Sequence, residues 1–253
     1  SAGSDLRARI DVPRERQFAG FDAYRHVIDQ VDVVVLASTP HFRARHLEYA
    51  VDKGVHIFAE KPVATDAVGL RTCLAACEAA KEKKLSIVSG LMNRYDRGKQ
   101  ETLQRIHDGA IGKVKTVLAP NFVGPVRWKP QPAEPMPAGG SDNWWDIWTN
   151  QAEFRPYHSQ LHRGWNRWWA YDGGGRCFGV TGWGAHSYDQ IQRGLGTDET
   201  GPVSVLLEEE PTDQDCGKFD PRKPTDDETG ARYYRMTKNV IGLRAKMRMK
   251  FAS

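Results

Sequence analysis

Two short stretches carry the clearest structural signal of this 253-residue chain, DVVVLASTP at residues 32–40 and VHIFAEKP at residues 55–62. The first is a nearly continuous β-branched run, which predicts a strand buried on both faces of a sheet. Between the two stretches, the apolar spacing of residues 41–53 predicts a helix that ends at Gly54. The elements predicted next are a helix at 65–84 and a strand at 85–89. Alternation of strand and helix with short connections predicts a parallel sheet covered by helices.

The pattern changes beyond residue 112. The elements predicted there are a strand at 113–122, a Pro/Gly/Trp-rich stretch to about residue 172, a helix at 180–195 and a strand at 203–209. At residues 243–251 apolar side chains alternate with Arg and Lys, which predicts a half-buried strand of an antiparallel sheet. We therefore predict an α/β chain of two domains. Residues 1–112 would hold an incomplete parallel sheet, and residues 113–253 an α+β domain with an open, mainly antiparallel sheet.

The composition excludes several classes of function. Lys and Arg (36) barely exceed Asp and Glu (32), and the net charge of +4 is scattered, so we predict no nucleic-acid partner. No stretch approaches the roughly 18 apolar residues of a membrane span. The four cysteines form neither a disulfide framework nor a paired zinc motif, and we predict no metal site. No signal peptide is visible, so the compartment, cytoplasmic or periplasmic, stays open.

Two polar segments stand where open parallel sheets bind ligands, outside the carboxyl ends of the strands. They are Ser38-Thr39-Pro40-His41 after the first strand and Ala59-Glu60-Lys61-Pro62 after the second. A partly desolvated Lys61 can act there as an acid or as a hydrogen-bond donor to a substrate oxygen. The alternative is an ordinary salt bridge in a surface loop.

A second candidate is the segment Gly182-Trp183-Gly184-Ala185-His186-Ser187-Tyr188-Asp189. On a helix His186 and Asp189 share a face, so the carboxylate can influence the imidazole tautomer or share a ligand with it. The alternative is a purely structural pair.

Most of the eight tryptophans lie between residues 128 and 169, interleaved with Tyr157, His158 and His162. Some of these rings must fill a core or an interface. Flat rings beside hydrogen-bonding groups also suit a sugar ring. Core, sugar platform and subunit interface all remain open from the residues alone.

These residues together resemble the glucose–fructose oxidoreductase / inositol dehydrogenase (Gfo/Idh/MocA) family. The resemblance rests on the Thr39-Pro40 turn, His46 and the Glu60-Lys61-Pro62 segment at the end of GVHIFAEKP. GLMNRYD at residues 90–96 and the helix motif around His186 resemble two further family segments.

The resemblance implies a Rossmann-type domain that binds NAD or NADP, and a C-terminal domain whose sheet makes a homo-oligomer contact. It implies hydride transfer between the nicotinamide and a sugar or polyol carbon, with Lys61 and His186 as the catalytic residues. The residues implied to contact the cofactor are Ser38, Thr39, Pro40, His46, Glu60, Lys61 and Asn93. Those implied to face the substrate are Arg94, Tyr157, Trp169 and Asp189.

The chain departs from the family pattern in two places. No G-x-G-x-x-G precedes residue 31, so residues 1–20 are interpreted as the tail of a glycine-rich βαβ unit. Gly182 stands where the family has an Asp. The leading hypothesis is a sugar or polyol dehydrogenase represented by an incomplete chain. The alternatives are a family member that cleaves glycosides with nicotinamide assistance, and a degenerate, non-catalytic sugar-binding or scaffold protein.

Overall fold

The computed structural model describes residues 11–114, 117, 134–137, 143–152, 154, 156–165, 171, 184–209 and 246–251. The helices are α1 (Ala23–Ile28), α2 (Pro40–Asp52), α3 (Ala67–Glu82), α4 (Arg97–His107), α5 (Trp144–Thr149), α6 (Ser159–Arg163) and α7 (Gly184–Leu195). The strands are β1 (Val33–Leu36), β2 (His56–Ala59), β3 (Ile87–Ser89), β4 (Pro202–Glu209) and β5 (Lys246–Phe251). Short 3-10 turns lie at Arg14–Arg16 and Met92–Tyr95.

Strands β1, β2 and β3 form the predicted parallel sheet, in that order. Val33 pairs with His56 and Ile57 with Ile87. Helices α2 and α3 are the two crossovers, and both pack on one face of the sheet. The core on that face combines Val34, Leu36, Ile57 and Ala59 of the strands with Leu47, Ala50, Val51, Cys73, Ala76 and Ala80 of the helices. The prediction of a helix-covered parallel sheet is confirmed.

The two crossover helices begin and end as their sequences predict. Gly54 follows α2 with a φ of +77°, a left-handed conformation that glycine adopts without strain. At the start of α3 the Asp66 carboxylate accepts a hydrogen bond of 2.7 Å from the Gly69 amide.

Burial of β1 on both faces was a wrong prediction. Val33 is 59% exposed and Val35 is 65% exposed, whereas Val34 and Leu36 between them are buried. Two successive right-handed crossovers running in one direction place both helices on the same side of the sheet. On the other face Val33 and Val35 stay exposed, while His56 and Phe58 of β2 are only partly buried. The β-branched run therefore marks strand propensity rather than burial.

Strands β4 and β5 pair antiparallel as predicted, with Val205 opposite Met249. The predicted half-burial is wrong for the described side chains, because Val205 and Met249 are both exposed. No other described element packs on this two-stranded sheet closely enough to cover them. The oligomer contact through this sheet and the domain boundary at 112/113 stay predictions.

Several predicted elements lie wholly or partly outside the described residues. They are most of the strand at 113–122, the start of the helix at 180–195, and residues 243–245 of the last strand. None of the helices that the structure describes is both long and apolar enough to cross a membrane.

Candidate functional site at the carboxyl edge of the parallel sheet

Lys61 and His186 lie near enough for the charge of one to act on the pKa of the other. Lys61 follows β2 at the carboxyl edge of the sheet, and His186 lies in the first turn of α7. Burial lowers the pKa of His186, and the positive charge of Lys61 lowers it further. The carboxylates of Asp189 and Glu60 act in the opposite direction. The imidazole is therefore held in its neutral form beside a cation, which is the state needed to accept a proton.

The Glu60 carboxylate lies directly against Gly90, the residue that follows β3. A Cβ atom on Gly90 would stand 2.6 Å from Glu60 Oε2, closer than any ordinary contact. The same oxygen accepts a hydrogen bond of 3.3 Å from the Lys61 amide. The missing side chain at position 90 thus leaves the space in which Glu60 packs beside Lys61.

A cleft of about 350 Å³ opens beside the carboxyl end of β1. Ser38 and His46 line it, and Ser38 Oγ lies 3.1 Å from His46 Nδ1. Tyr24 stacks on the His46 ring with 4.2 Å between centroids. Burial lowers the pKa of His46 to about 4, so this ring is neutral at physiological pH.

Other residues predicted to contact the cofactor lie outside this cleft. Thr39 occupies the N-cap position of α2, and Pro40, which follows it, is fully buried. Asn93 accepts a hydrogen bond from the Lys99 ammonium. The structure therefore groups Ser38 with His46 and Glu60 with Lys61, and leaves Thr39, Pro40 and Asn93 away from the cleft walls.

Arg94 ties the segment after β3 to helix α7. Its Nε donates to Asp189 at 2.6 Å, and its two terminal nitrogens donate to Asp198 at 2.7 and 2.9 Å. Hydrogen bonds to Asp198, and then to the buried Asp189, raise the pKa of Arg94 above its ordinary value. Asp189 therefore forms an ion pair with Arg94, and its charge also raises the pKa of His186. The substrate roles of Arg94 and Asp189 stay predictions.

Three of the four tryptophans that the structure describes form an aromatic cluster with Tyr157 and His162. They are Trp144, Trp145 and Trp148, and the fourth, Trp165, packs against the same core. Trp145 and Trp148, 4% and 6% exposed, stack with 4.8 Å between centroids and 6° between planes. Tyr157 meets Trp145 edge-on at 5.0 Å. Of the three interpretations left open, core packing holds for Trp145 and Trp148. Trp169 and Gly182 lie outside the described residues.

The aromatic cluster is joined to the parallel-sheet part through His41 of α2. Nε2 of His41 lies 2.8 Å from the Trp148 carbonyl, which can only accept, so this nitrogen carries the proton. The Asn150 side chain donates in turn to the His41 carbonyl at 3.2 Å. Burial lowers the pKa of His41 to about 4.

Sequence reasoning missed Arg43, which is 2% exposed and donates to the carbonyls of Ser38 and Pro62. A signal was present, since Arg43 begins the buried stripe that continues through Leu47, Ala50 and Val51. A charged residue at a core position of a helix needs polar partners. Asp198, the second partner of Arg94, was also missed.

Among the residues that the structure describes, no group of three or more His, Cys, Asp or Glu side chains lies close enough together to hold a metal ion.

Two family models match consecutive parts of the chain. Residues 4–90 match the model described as "Oxidoreductase family, NAD-binding Rossmann fold". Residues 122–223 match the model described as "Oxidoreductase family, C-terminal alpha/beta domain". Both models belong to the Gfo/Idh/MocA group, and together they cover most of the chain.

Curated relatives include two inositol dehydrogenases. Inositol 2-dehydrogenase 3 of Saccharopolyspora erythraea is 38% identical over 84 residues, which are 32% of this chain and 24% of that protein. Inositol 2-dehydrogenase/D-chiro-inositol 3-dehydrogenase of Halalkalibacterium halodurans is 35% identical over 85 residues, 34% of this chain and 24% of that protein. The matched segment thus spans about a quarter of the length of these relatives.

Similar solved structures include an oxidoreductase domain protein from Kribbella flavida. It is 21% identical with a TM-score of 0.47, over 74% of this chain and 41% of that chain. The scyllo-inositol dehydrogenase of Lactobacillus casei with bound NAD(H) and scyllo-inositol is 26% identical with a TM-score of 0.32. That match covers 36% of this chain and 26% of that chain.

The two consecutive domain matches agree with the parallel sheet and with the segments that resemble the family at residues 39–62. The chain belongs to the Gfo/Idh/MocA family of oxidoreductases, whose N-terminal domain is an NAD-binding Rossmann fold.

Proposed function

We propose that the protein is an NAD-dependent dehydrogenase that oxidises a secondary hydroxyl of a polyol or sugar. The observation that carries this proposal is the convergence of Lys61 and His186 at the carboxyl edge of the parallel sheet. The inositol dehydrogenases among the relatives support a cyclic polyol as the first substrate class to test.

The residues present fit one part of a nicotinamide dinucleotide. The cleft of about 350 Å³ beside β1 has largely apolar walls, and Ser38 supplies a hydroxyl. Clefts of this size and character hold flat organic ligands. We propose that Ser38 and His46 contact the dinucleotide, and that Glu60 and Lys61 lie on the side of the substrate. When bound, NAD supplies the hydride acceptor.

In this mechanism His186 accepts the proton of the substrate hydroxyl as the carbinol carbon loses its hydride. Its lowered pKa keeps the ring neutral and able to accept at pH 7. Lys61 donates a hydrogen bond to the same oxygen and stabilises the negative charge that develops there. The Arg94–Asp189 pair holds the helix that carries His186 against the segment after β3.

The test is NADH formation by the purified protein with NAD and a panel of cyclic polyols and sugars. General acid–base groups typically contribute about 10²–10⁴-fold to the rate, so Lys61→Ala and His186→Ala should each lower kcat by that factor. Matched controls are Lys53→Ala, an exposed lysine paired with Asp29, and His26→Ala, an exposed histidine. Both should retain the wild-type kcat.

Near-wild-type turnover by Lys61→Ala or His186→Ala would remove that residue from the mechanism. Binding of polyols without NADH formation would instead favour a non-catalytic sugar-binding protein. Release of sugar with no net NADH would favour nicotinamide-assisted glycoside cleavage.

A further inference from the structure

Arg43 is a cation placed inside the core of the parallel-sheet part. It is 2% exposed, and the residues that follow it along the buried stripe of α2 are apolar. Burial lowers the pKa of Arg43 to about 10, and the nearby Glu60 carboxylate opposes that shift. The guanidinium is therefore charged at neutral pH.

The donors of Arg43 reach two different loops. One terminal nitrogen donates to the carbonyl of Ser38, which follows β1, and the other donates to the carbonyl of Pro62, which follows β2. Among the residues that the structure describes, Arg43 has no ion-pair partner and its Nε has no hydrogen-bond partner. Both hydrogen bonds that the Arg43 side chain donates go to these two backbone carbonyls.

A hydrophobic side chain of similar volume would fill the same space without the cost of desolvating a charge. What a planar guanidinium adds is a fixed separation and orientation of the two groups that it contacts. The two groups here belong to the Ser38 loop, which lines the cleft, and to the Glu60-Lys61-Pro62 loop, which carries the predicted catalytic lysine.

The loop after β3 is held to the Glu60-Lys61-Pro62 loop by the packing of Glu60 against Gly90. The Glu60 carboxylate fills the space above Gly90, at the end of β3. Arg43, Glu60 and Gly90 therefore connect the ends of all three parallel strands.

We propose that Arg43 is a positioning residue that fixes the Ser38 loop against the Lys61 loop, and so fixes the Lys61 ammonium relative to the cleft. The effect on turnover rests on the proposed dehydrogenase function. The effect on the two loops does not.

The variants to compare are Arg43→Met and Arg43→Lys. Methionine fills the space without hydrogen-bond donors, and lysine keeps the charge but lacks the two terminal nitrogens of a planar guanidinium. The matched controls are Arg45→Met and Arg45→Lys, since Arg45 is exposed on the same helix. Amide hydrogen exchange over residues 38–42 and 60–64 reports the loops without any need for activity. Thermal unfolding and kcat with KM for NAD and polyol complete the set.

We expect exchange in both loops to rise about tenfold or more in both Arg43 variants, while β1–β3 keep wild-type protection. Since misplacement of a catalytic group by about 1 Å can cost 10²-fold, kcat should fall by a factor of about 10² with a smaller change in KM. Arg43→Lys serves alone if Arg43→Met does not fold. Both Arg45 variants should match the wild type.

Wild-type exchange in the two loops of a folded Arg43 variant would overturn the proposal. An equal rise in amide exchange over the whole sheet would also overturn the proposal, because that result indicates a general loss of stability. If the loops loosen as expected but the wild-type protein forms no NADH, the positioning role stands and the proposed function fails.

Discussion

The carboxyl edge of the parallel sheet and the aromatic cluster both contain residue types that suit a binding site, but they differ in how far those residues are exposed. At the edge Ser38, His46 and Lys61 stay partly accessible, and they come from separate segments. In the aromatic cluster Trp145 and Trp148 are buried against each other and against neighbouring rings. Residue types that suit a binding site therefore mark one only where the backbone leaves them open to a ligand. Each of the predictions below tests this contrast.

The largest effect is expected in the aromatic cluster. Trp148→Ala removes a buried ring, and substitutions of this kind cost about 3–5 kcal/mol of unfolding free energy. The matched control is Ile147→Ala, the next residue back on α5, which is 39% exposed and should cost about 1 kcal/mol or less. Urea unfolding of both variants measures the difference. If Trp148→Ala unfolds with the wild-type free energy but no longer binds polyol, the cluster is a ligand-binding surface and not a core.

An intermediate effect is expected from acid, because His41 is buried, His46 is partly buried, and both rings are neutral at pH 7. Their folded pKa of about 4 lies below the ordinary value of 6.5, so unfolding takes up protons between these values. Stability should be complete above pH 6.5 and fall as the pH drops toward 4, by up to about 2 kcal/mol per histidine at pH 5.

Urea unfolding at pH 7.5 and pH 5 measures this loss. His46→Phe should remove about half of the difference, whereas the exposed His26→Asn should leave it unchanged. An equal pH dependence in His46→Phe would show that another group is responsible.

The smallest effect on stability is expected at Gly90. A Cβ atom there displaces the Glu60 carboxylate, which is the free end of a flexible side chain, so the cost should stay within about 1 kcal/mol. Turnover should fall more clearly, by about tenfold or more, because Glu60 adjoins Lys61. Kinetics and thermal unfolding of Gly90→Ala separate the two effects.

The control for Gly90→Ala is Gly194→Ala, on α7. Its Cβ atom would make an ordinary contact of 3.7 Å with Leu103, and alanine favours the helix by about 1 kcal/mol. If Gly90→Ala retains full activity, the placement of Glu60 does not matter for the reaction.

Local sequence patterns were sufficient for the parallel part. The runs around Val34 and Ile57, the stop at Gly54 and the cap at Asp66 correctly place strands and helices, because these signals act over a few residues. The Glu60-Lys61-Pro62 segment was also correctly placed at the carboxyl edge, since that follows from strand order alone.

Local sequence patterns could not predict which side chains are buried or which charged residues pair. Nothing in DVVVLA distinguishes Val34 inside from Val35 outside, because which side the crossover helices cover is a property of the whole sheet. The same limit applies to Arg94, whose partners Asp189 and Asp198 lie on and just beyond α7.

The amino-acid sequence by itself determines the order of strands and helices, the family motifs and the candidate pair Lys61 and His186. Only the tertiary structure decides which residues pair and which are buried. Arg94 forms an ion pair with Asp189, and Trp145 and Trp148 lie in a core. Arg43 donates hydrogen bonds to two loops from a buried position. Propensities and turns depend on neighbours along the chain, whereas the state of a charge or a ring depends on what surrounds it in three dimensions.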